Sequence, residues 1–170
     1  MEGKEERQKH PFGPVADEFS EILILGTFPS VQSREGEFYY HHPRNRFWRL
    51  LSELYREPFP ETIAERRALL LRHHTALWDV VESCEITGSS DASIRNVRPA
   101  RLKPLLEDSR IHTIFGNGSK ACELYRRYCE TETGRPIIQL PSTSPANASW
   151  TYERLLEQWR QITDSAKRRS

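Results

Sequence analysis

Four short apolar runs separated by stretches of helical periodicity constrain this chain more than any other feature. They cover residues 21–25, 75–81, 111–115 and 137–140. In the first, Ile22, Leu23, Ile24 and Leu25 follow one another without a polar break, as in a strand covered on both faces. Between the runs the spacing changes. Phe47, Leu50, Leu51 and Leu54 fall at i, i+3, i+4 and i+7, and Trp48 and Tyr55 widen that stripe. Further helical segments are expected over 61–72 and 99–108 and after Gly116-Asn117-Gly118. A last helix carries Tyr152, Leu155, Leu156, Trp159 and Ile162, with Ser149 or Thr151 as its N-cap. Strands alternating with helices form βαβ units with right-handed crossovers, so the predicted fold is α/β around a four-stranded parallel sheet.

In such sheets ligands gather beyond the carboxyl ends of the strands. Four polar loops are expected there, over residues 26–45, 79–96, 116–119 and 141–147. The first ends in Tyr39-Tyr40-His41-His42-Pro43-Arg44-Asn45. Asn45 sits before a helix, where it can cap; its amide can also position water through Oδ1 and Nδ2 without acting as a full base. So weak a device suits a leaving group that departs early, as in glycosidic bonds with an oxocarbenium-like transition state. Tyr39 and Tyr40 could stack on a flat ligand or simply pack. Asp79 interrupts an apolar run, so it either reads a ligand or accepts from loop amides. His41 and His42 are candidates for phosphate contact or leaving-group stabilisation. Gly116-Asn117-Gly118-Ser119-Lys120 lacks Walker A spacing and reads as a plain glycine turn.

Composition narrows the class. At 170 residues, 36% hydrophobic and 29% charged, the chain suits one soluble domain over 1–170, with 1–13 and 164–170 flexible. No apolar run reaches membrane-span length and the first ten residues carry no secretory signal pattern, so the expected compartment is the cytoplasm. The net charge of +1 gives no global field for a polyanion. Cys84, Cys122 and Cys129 form no CxxC pair, which argues against a disulfide framework, zinc or an iron–sulfur cluster. No metal and no cofactor are expected.

Several stretches together resemble the uracil-DNA glycosylase superfamily, and within it the hypoxanthine-DNA glycosylase branch. They are Leu25-Gly26-Thr27-Phe28-Pro29-Ser30, Tyr39-Tyr40-His41-His42-Pro43-Arg44-Asn45-Arg46-Phe47-Trp48, Leu77-Trp78-Asp79-Val80-Val81, Gly88-Ser89-Ser90-Asp91 and Leu140-Pro141-Ser142-Thr143-Ser144-Pro145-Ala146-Asn147. The resemblance implies a three-layer α/β/α fold and a monofunctional glycosylase that flips a deaminated base out of DNA and hydrolyses its glycosidic bond. It implies Asn45 as the catalytic amide. A base pocket would then be formed by Gly26, Thr27, Phe28, Tyr40 and Asp79. DNA contacts would come from Arg44, Arg46, Ser142, Thr143, Ser144, Pro145, Ala146 and Asn147. The expected partner is DNA carrying deaminated bases, bound by a monomer. Phe28 stands where many members hold water with Asp or Asn, and Ser144-Pro145-Ala146 stands where others carry a His and a wedging Leu. The alternatives are a mismatch-specific uracil glycosylase, a non-catalytic damaged-DNA binding module and a small nucleotide-binding protein.

Overall fold

The structure is a computed structural model that describes residues 7–167, with side chains to residue 164. Strand β2 (Ile22–Gly26) lies inside a parallel sheet of order β3-β2-β6-β7, with β3 at Thr75–Asp79, β6 at Thr113–Asn117 and β7 at Ile138–Leu140. The unbroken apolar run of β2 follows from its position. Leu23 and Leu25 enter one buried core while Ile22 and Ile24 enter another, because successive strand side chains point to opposite faces.

Helix α2 (Phe47–Leu54), α3 (Ile63–Arg72), α7 (Tyr152–Trp159) and α8 (Gln161–Lys167) cover one face. Phe47, Leu50, Leu51, Leu70, Leu155 and Trp159 are fully buried there. Helix α4 (Leu102–Glu107) and α5 (Ser119–Tyr128) cover the other through Leu102, Leu106, Cys122 and Tyr125. The result is the expected three-layer arrangement. Thr151, rather than Ser149, caps α7 by accepting from the Arg154 N–H at 3.2 Å. No helix among the described residues is long and apolar enough to cross a membrane.

Three expectations are corrected. The run over 75–81 is not one strand. The chain leaves the parallel sheet after Asp79, and Val80 and Val81 donate to the carbonyls of Gly26 and Thr27. Val81–Glu85 becomes β4 at the centre of a second, antiparallel sheet, between β1 (Arg7–Lys9) and β5 (Arg95–Pro99). The apolar pattern continues through the switch because Val80, Val81 and Cys84 all enter the same core. Second, part of the expected polar loop is a strand, β5 (Arg95–Pro99), whose mostly exposed residues suit a sheet edge. Third, the start of the chain is not wholly frayed. Arg7–Lys9 form β1, paired antiparallel with β4 from Arg7↔Glu85 to Lys9↔Ser83. Residues 1–6 lie outside the described residues, as do Arg168 and Arg169 of the basic tail; α8 occupies part of the expected flexible end. Within the loop after β2, Ser30 caps a short helix, α1 (Val31–Gly36), that the sequence did not signal. A four-residue helix, α6 (Glu130–Thr133), follows α5.

Candidate active site

Sheet register sets the site. Gly26 pairs with Asp79, Leu25 with Gly116 and Asn117 with Leu140, so the carboxyl ends of the parallel strands stand level. The crossover from β2 runs to one side and that from β6 to the other. The loops therefore part above the β2–β6 boundary, where open α/β sheets hold their ligands. A cleft of about 1060 Å³ opens there, a size that suits a nucleotide-scale ligand.

Gly26, Thr27, Phe28, Tyr40, Asn45 and Asp79 all line this cleft. Gly26 is demanded by close approach: a Cβ there would stand 2.3 Å from Asp79 Oδ1 and 2.8 Å from the Tyr40 hydroxyl. Phe28 is buried at the back, under the Arg34 guanidinium, which lies 5.6 Å from the ring centroid. Tyr40 adopts a left-handed backbone (φ 50°), an unusual conformation for an aromatic residue. Its ring stacks on Phe47 at 4.1 Å, which leaves one face for anything in the cleft. The Tyr40 hydroxyl is buried with no hydrogen-bond partner.

Asn45 precedes Arg46, the N-cap residue of α2, so the expected cap is one residue off. Its Oδ1 instead accepts from the Phe47 N–H at 3.0 Å, which satisfies the first N–H of the helix. A carbonyl oxygen has two lone pairs, so the second lone pair and the Nδ2 donors remain available on the cleft side.

The 142–147 loop lines the opposite wall, but its residues divide. Thr143 is fully buried and locked to Asn117, donating its N–H to Oδ1 at 3.0 Å and accepting Nδ2–H on Oγ1 at 3.0 Å. Its expected contact with DNA is thereby replaced by a structural one. Ser142 and Ser144 accept from the N–H groups of Ser144 and Ala146, both at 3.1 Å, and Asn147 Nδ2 donates to the Ser142 carbonyl at 3.0 Å. These bonds shape a turn whose outer residue, Ala146, is exposed.

Arg46 does not face the cleft. Its guanidinium donates to the carbonyls of Ser144 at 2.8 Å, Asn147 at 3.1 Å, Thr143 at 3.4 Å and Trp150. The charge expected to meet phosphate instead ties the loop to α2, and burial lowers the pKa of Arg46. Arg44 is exposed outside the cleft. Of the two histidines, His42 lines the cleft and His41 does not; the His41 ring packs over Gly36.

Matches to known proteins agree with this geometry. The model of the uracil DNA glycosylase superfamily matches residues 12–163. The chain belongs to that superfamily. It is 34% identical over 148 residues to the hypoxanthine DNA glycosylase of Methanosarcina acetivorans, covering 86% of this chain and 92% of the relative. A hypoxanthine DNA glycosylase of Methanosarcina barkeri is 34% identical over 118 residues, which covers 68% of this chain and 75% of the relative. Among solved structures, the solution NMR structure of a uracil-DNA-glycosylase-like protein of M. acetivorans superposes with a TM-score of 0.78 at 32% identity. That match covers 91% of this chain and 95% of the other.

Two residues of this glycosylase-family cleft, and one that stands behind Asp79, escaped the sequence reading. Asn117 looked like part of a glycine turn, yet it anchors Thr143. Asp91 was given no role of its own within its polar loop, yet it lines the cleft. It is exposed at the cleft mouth, where partial desolvation, with Asp79 nearby, pushes its carboxyl up to about 6. The third is His10, whose Nε2 lies 2.7 Å from Asp79 Oδ2. No periodicity marks it, because it follows an exposed polar strand. Burial and the Asp79 charge raise the Tyr39 and Tyr40 hydroxyls far above the ordinary phenol range, so both stay protonated. No cluster of three or more His, Cys, Asp or Glu side chains that could hold a metal occurs among the described residues.

Proposed function

We propose that this protein is a monofunctional DNA glycosylase that removes hypoxanthine from deoxyinosine in DNA by hydrolysis, leaving an abasic site for excision repair. The observation that carries this reading is the meeting of the Asn45 amide and the Asp79 carboxylate in one nucleotide-sized cleft. The 34% identity to hypoxanthine DNA glycosylases supports it.

In the proposed reaction the damaged nucleotide rotates out of the helix, which is least costly for a mispaired base. The base enters between Tyr40 and Phe28 and presents its ring N–H to Asp79. The C1′–N9 bond breaks with its electron pair passing to the base. Water held by Asn45 attacks C1′ of the oxocarbenium-like sugar and releases its proton to solvent, while the departing base takes one up from solvent to leave as neutral hypoxanthine. No lysine is among the cleft-lining residues, consistent with water rather than an amine as nucleophile. Ser142, Ser144, Pro145, Ala146 and Asn147 contact the DNA strand, and Arg44 contributes charge from outside the cleft. The protein acts as a monomer in the cytoplasm, the first of which light scattering checks.

Single-turnover release from duplexes carrying inosine, uracil or xanthine tests the function. Alkali-labile sites at inosine are expected, and their absence would overturn it. Asn45→Ala is expected to slow release by about 10²-fold or more, the usual scale for a positioned proton-transfer or water-holding group.

A further inference from the structure

We propose that His10 is a positioning residue for base selection. By donating to Asp79 Oδ2 it aims Asp79 Oδ1 at the ring N–H of an oxo-base in the cleft. The inference rests on the glycosylase reading and adds a residue from outside the matched family region, which begins at residue 12.

The placement starts in the second sheet. Strand β1 pairs with β4, and the His10 N–H extends that pairing by donating to the Glu82 carbonyl at 2.7 Å. This carries the His10 ring under the carboxyl end of β3. The ring sits among Phe12, Phe28 and Tyr39, with centroids 4.6, 5.9 and 5.9 Å away. Its side chain is 4% exposed and that of Asp79 is 5%.

The ring's tautomer follows from its second contact. The Phe12 N–H points at Nδ1 from 3.4 Å, so Nδ1 accepts and Nε2–H donates to Asp79 Oδ2 at 2.7 Å. A carboxylate gripped on one oxygen by a boxed ring cannot turn about its last torsion. Its other oxygen is thereby fixed. Asp79 Oδ1 and the Tyr40 hydroxyl converge on one point, lying 2.3 and 2.8 Å from where a Gly26 Cβ would stand. The hydroxyl is buried and unpartnered, an arrangement that calls for an explanation in a native fold.

Together they present an acceptor-only oxygen beside a free hydroxyl donor. An oxo-base offers the complement, a ring N–H beside a carbonyl. Held in the same orientation, adenine and cytosine set an unprotonated ring nitrogen against the carboxylate and an amino group against the hydroxyl donor, which leaves both protein groups mismatched. Since a carboxylate can accept but not donate, this edge is selected only while Oδ1 stays in place. His10 keeps it there.

The test compares two bases in the full-length chain. Single-turnover release is measured from duplexes carrying deoxyinosine and from duplexes carrying 2′-deoxynebularine, a purine with neither the 6-oxo group nor the N1–H. Wild type is expected to favour hypoxanthine. His10→Phe, which keeps the buried ring and removes the donor, is expected to lower hypoxanthine release about 10- to 100-fold, the scale of a displaced site group. Nebularine release should change little. His10→Gln, with a donor at similar reach, should restore part of the preference, and His10→Leu repeats the test if the Phe variant fails to fold. Adding Asp79→Asn to His10→Phe should cost little more, because both act through one contact. Equal losses on both bases, or a preference that survives in folded His10→Phe or His10→Leu, would overturn the positioning role. Wild type that releases neither base would overturn the glycosylase reading itself.

Discussion

At the scale of single residues, Asn45 joins a bond to the first N–H of α2 and a proposed catalytic amide in one side chain. The two can be separated because they use different chemistry. Asn45→Ala removes both: beyond the slowed release, the lost bond should cost about 1 kcal/mol and about 2–4 °C in Tm. Asn45→Ser keeps an oxygen for that N–H and loses the amide. It should melt close to wild type and still fail in base release, as thermal denaturation and the inosine assay together would reveal. Gly26 is the complementary case, where the absence of a side chain is the function. Gly26→Ala puts a methyl 2.3 Å from Asp79 Oδ1. Overpacking of that kind costs about 1–3 kcal/mol. The displaced carboxylate should abolish selective release, measured beside a denaturant melt.

At the scale of elements, the loop after β7 depends on three neighbours. Trp159 of α7 donates to the Pro141 carbonyl at 2.9 Å, Asn117 of β6 holds Thr143, and Arg46, just ahead of α2, gathers carbonyls from Thr143 to Trp150. Only a planar fork with five donors can span that many acceptors. Arg46→Lys retains the charge but not the fork. We expect a stability loss of about 2–3 kcal/mol, the range for charge-assisted bonds to buried acceptors. Amide exchange should rise selectively over residues 142–150, and DNA affinity should fall because the loop is no longer preshaped. If exchange over this loop is unchanged, Arg46 is not its clamp. Neither this clamp nor the switch of strand at Val80 is visible in local periodicity, because an arginine before a helix reads as solvated charge and two consecutive strands read as one.

At the scale of the whole molecule, the parallel sheet divides two cores and concentrates carboxylates at one end. Asp79 and Asp91 face the same cleft, and the second is raised to about 6. A carboxyl with a raised folded-state pKa binds its proton more tightly when folded. Its contribution to stability is therefore fully present below the ordinary carboxylate value of about 4 and is lost as pH rises through about 6. Asp91→Asn removes this dependence. Its Tm profile between pH 4 and 7 should be flatter than wild type, with the variant gaining relative stability as pH rises. Solvent at the cleft mouth screens the effect, so the sign of the difference is the test.

The sequence by itself determined the layers and the place of the cleft. Unbroken apolar runs occur where both strand faces are buried, and polar loops after such runs collect at one sheet edge by the handedness of the crossovers. That reasoning reached Tyr40, Asn45 and Asp79, whose residue types already stand out against their neighbours; Gly26 and Phe28 came from the resemblance to the glycosylase superfamily. Tertiary structure alone decided which groups those residues meet. His10 finds Asp79 across 69 positions, and Arg46 finds Trp150 across 104. Periodicity records how deeply an element is buried, averaged along its own length. It holds no record of which distant partner fills a given hydrogen bond, since that depends on the packing of other layers. Thus the residue after a polar strand at the start of the chain came to hold a carboxylate of the site, and an arginine beside the proposed catalytic amide turned inward.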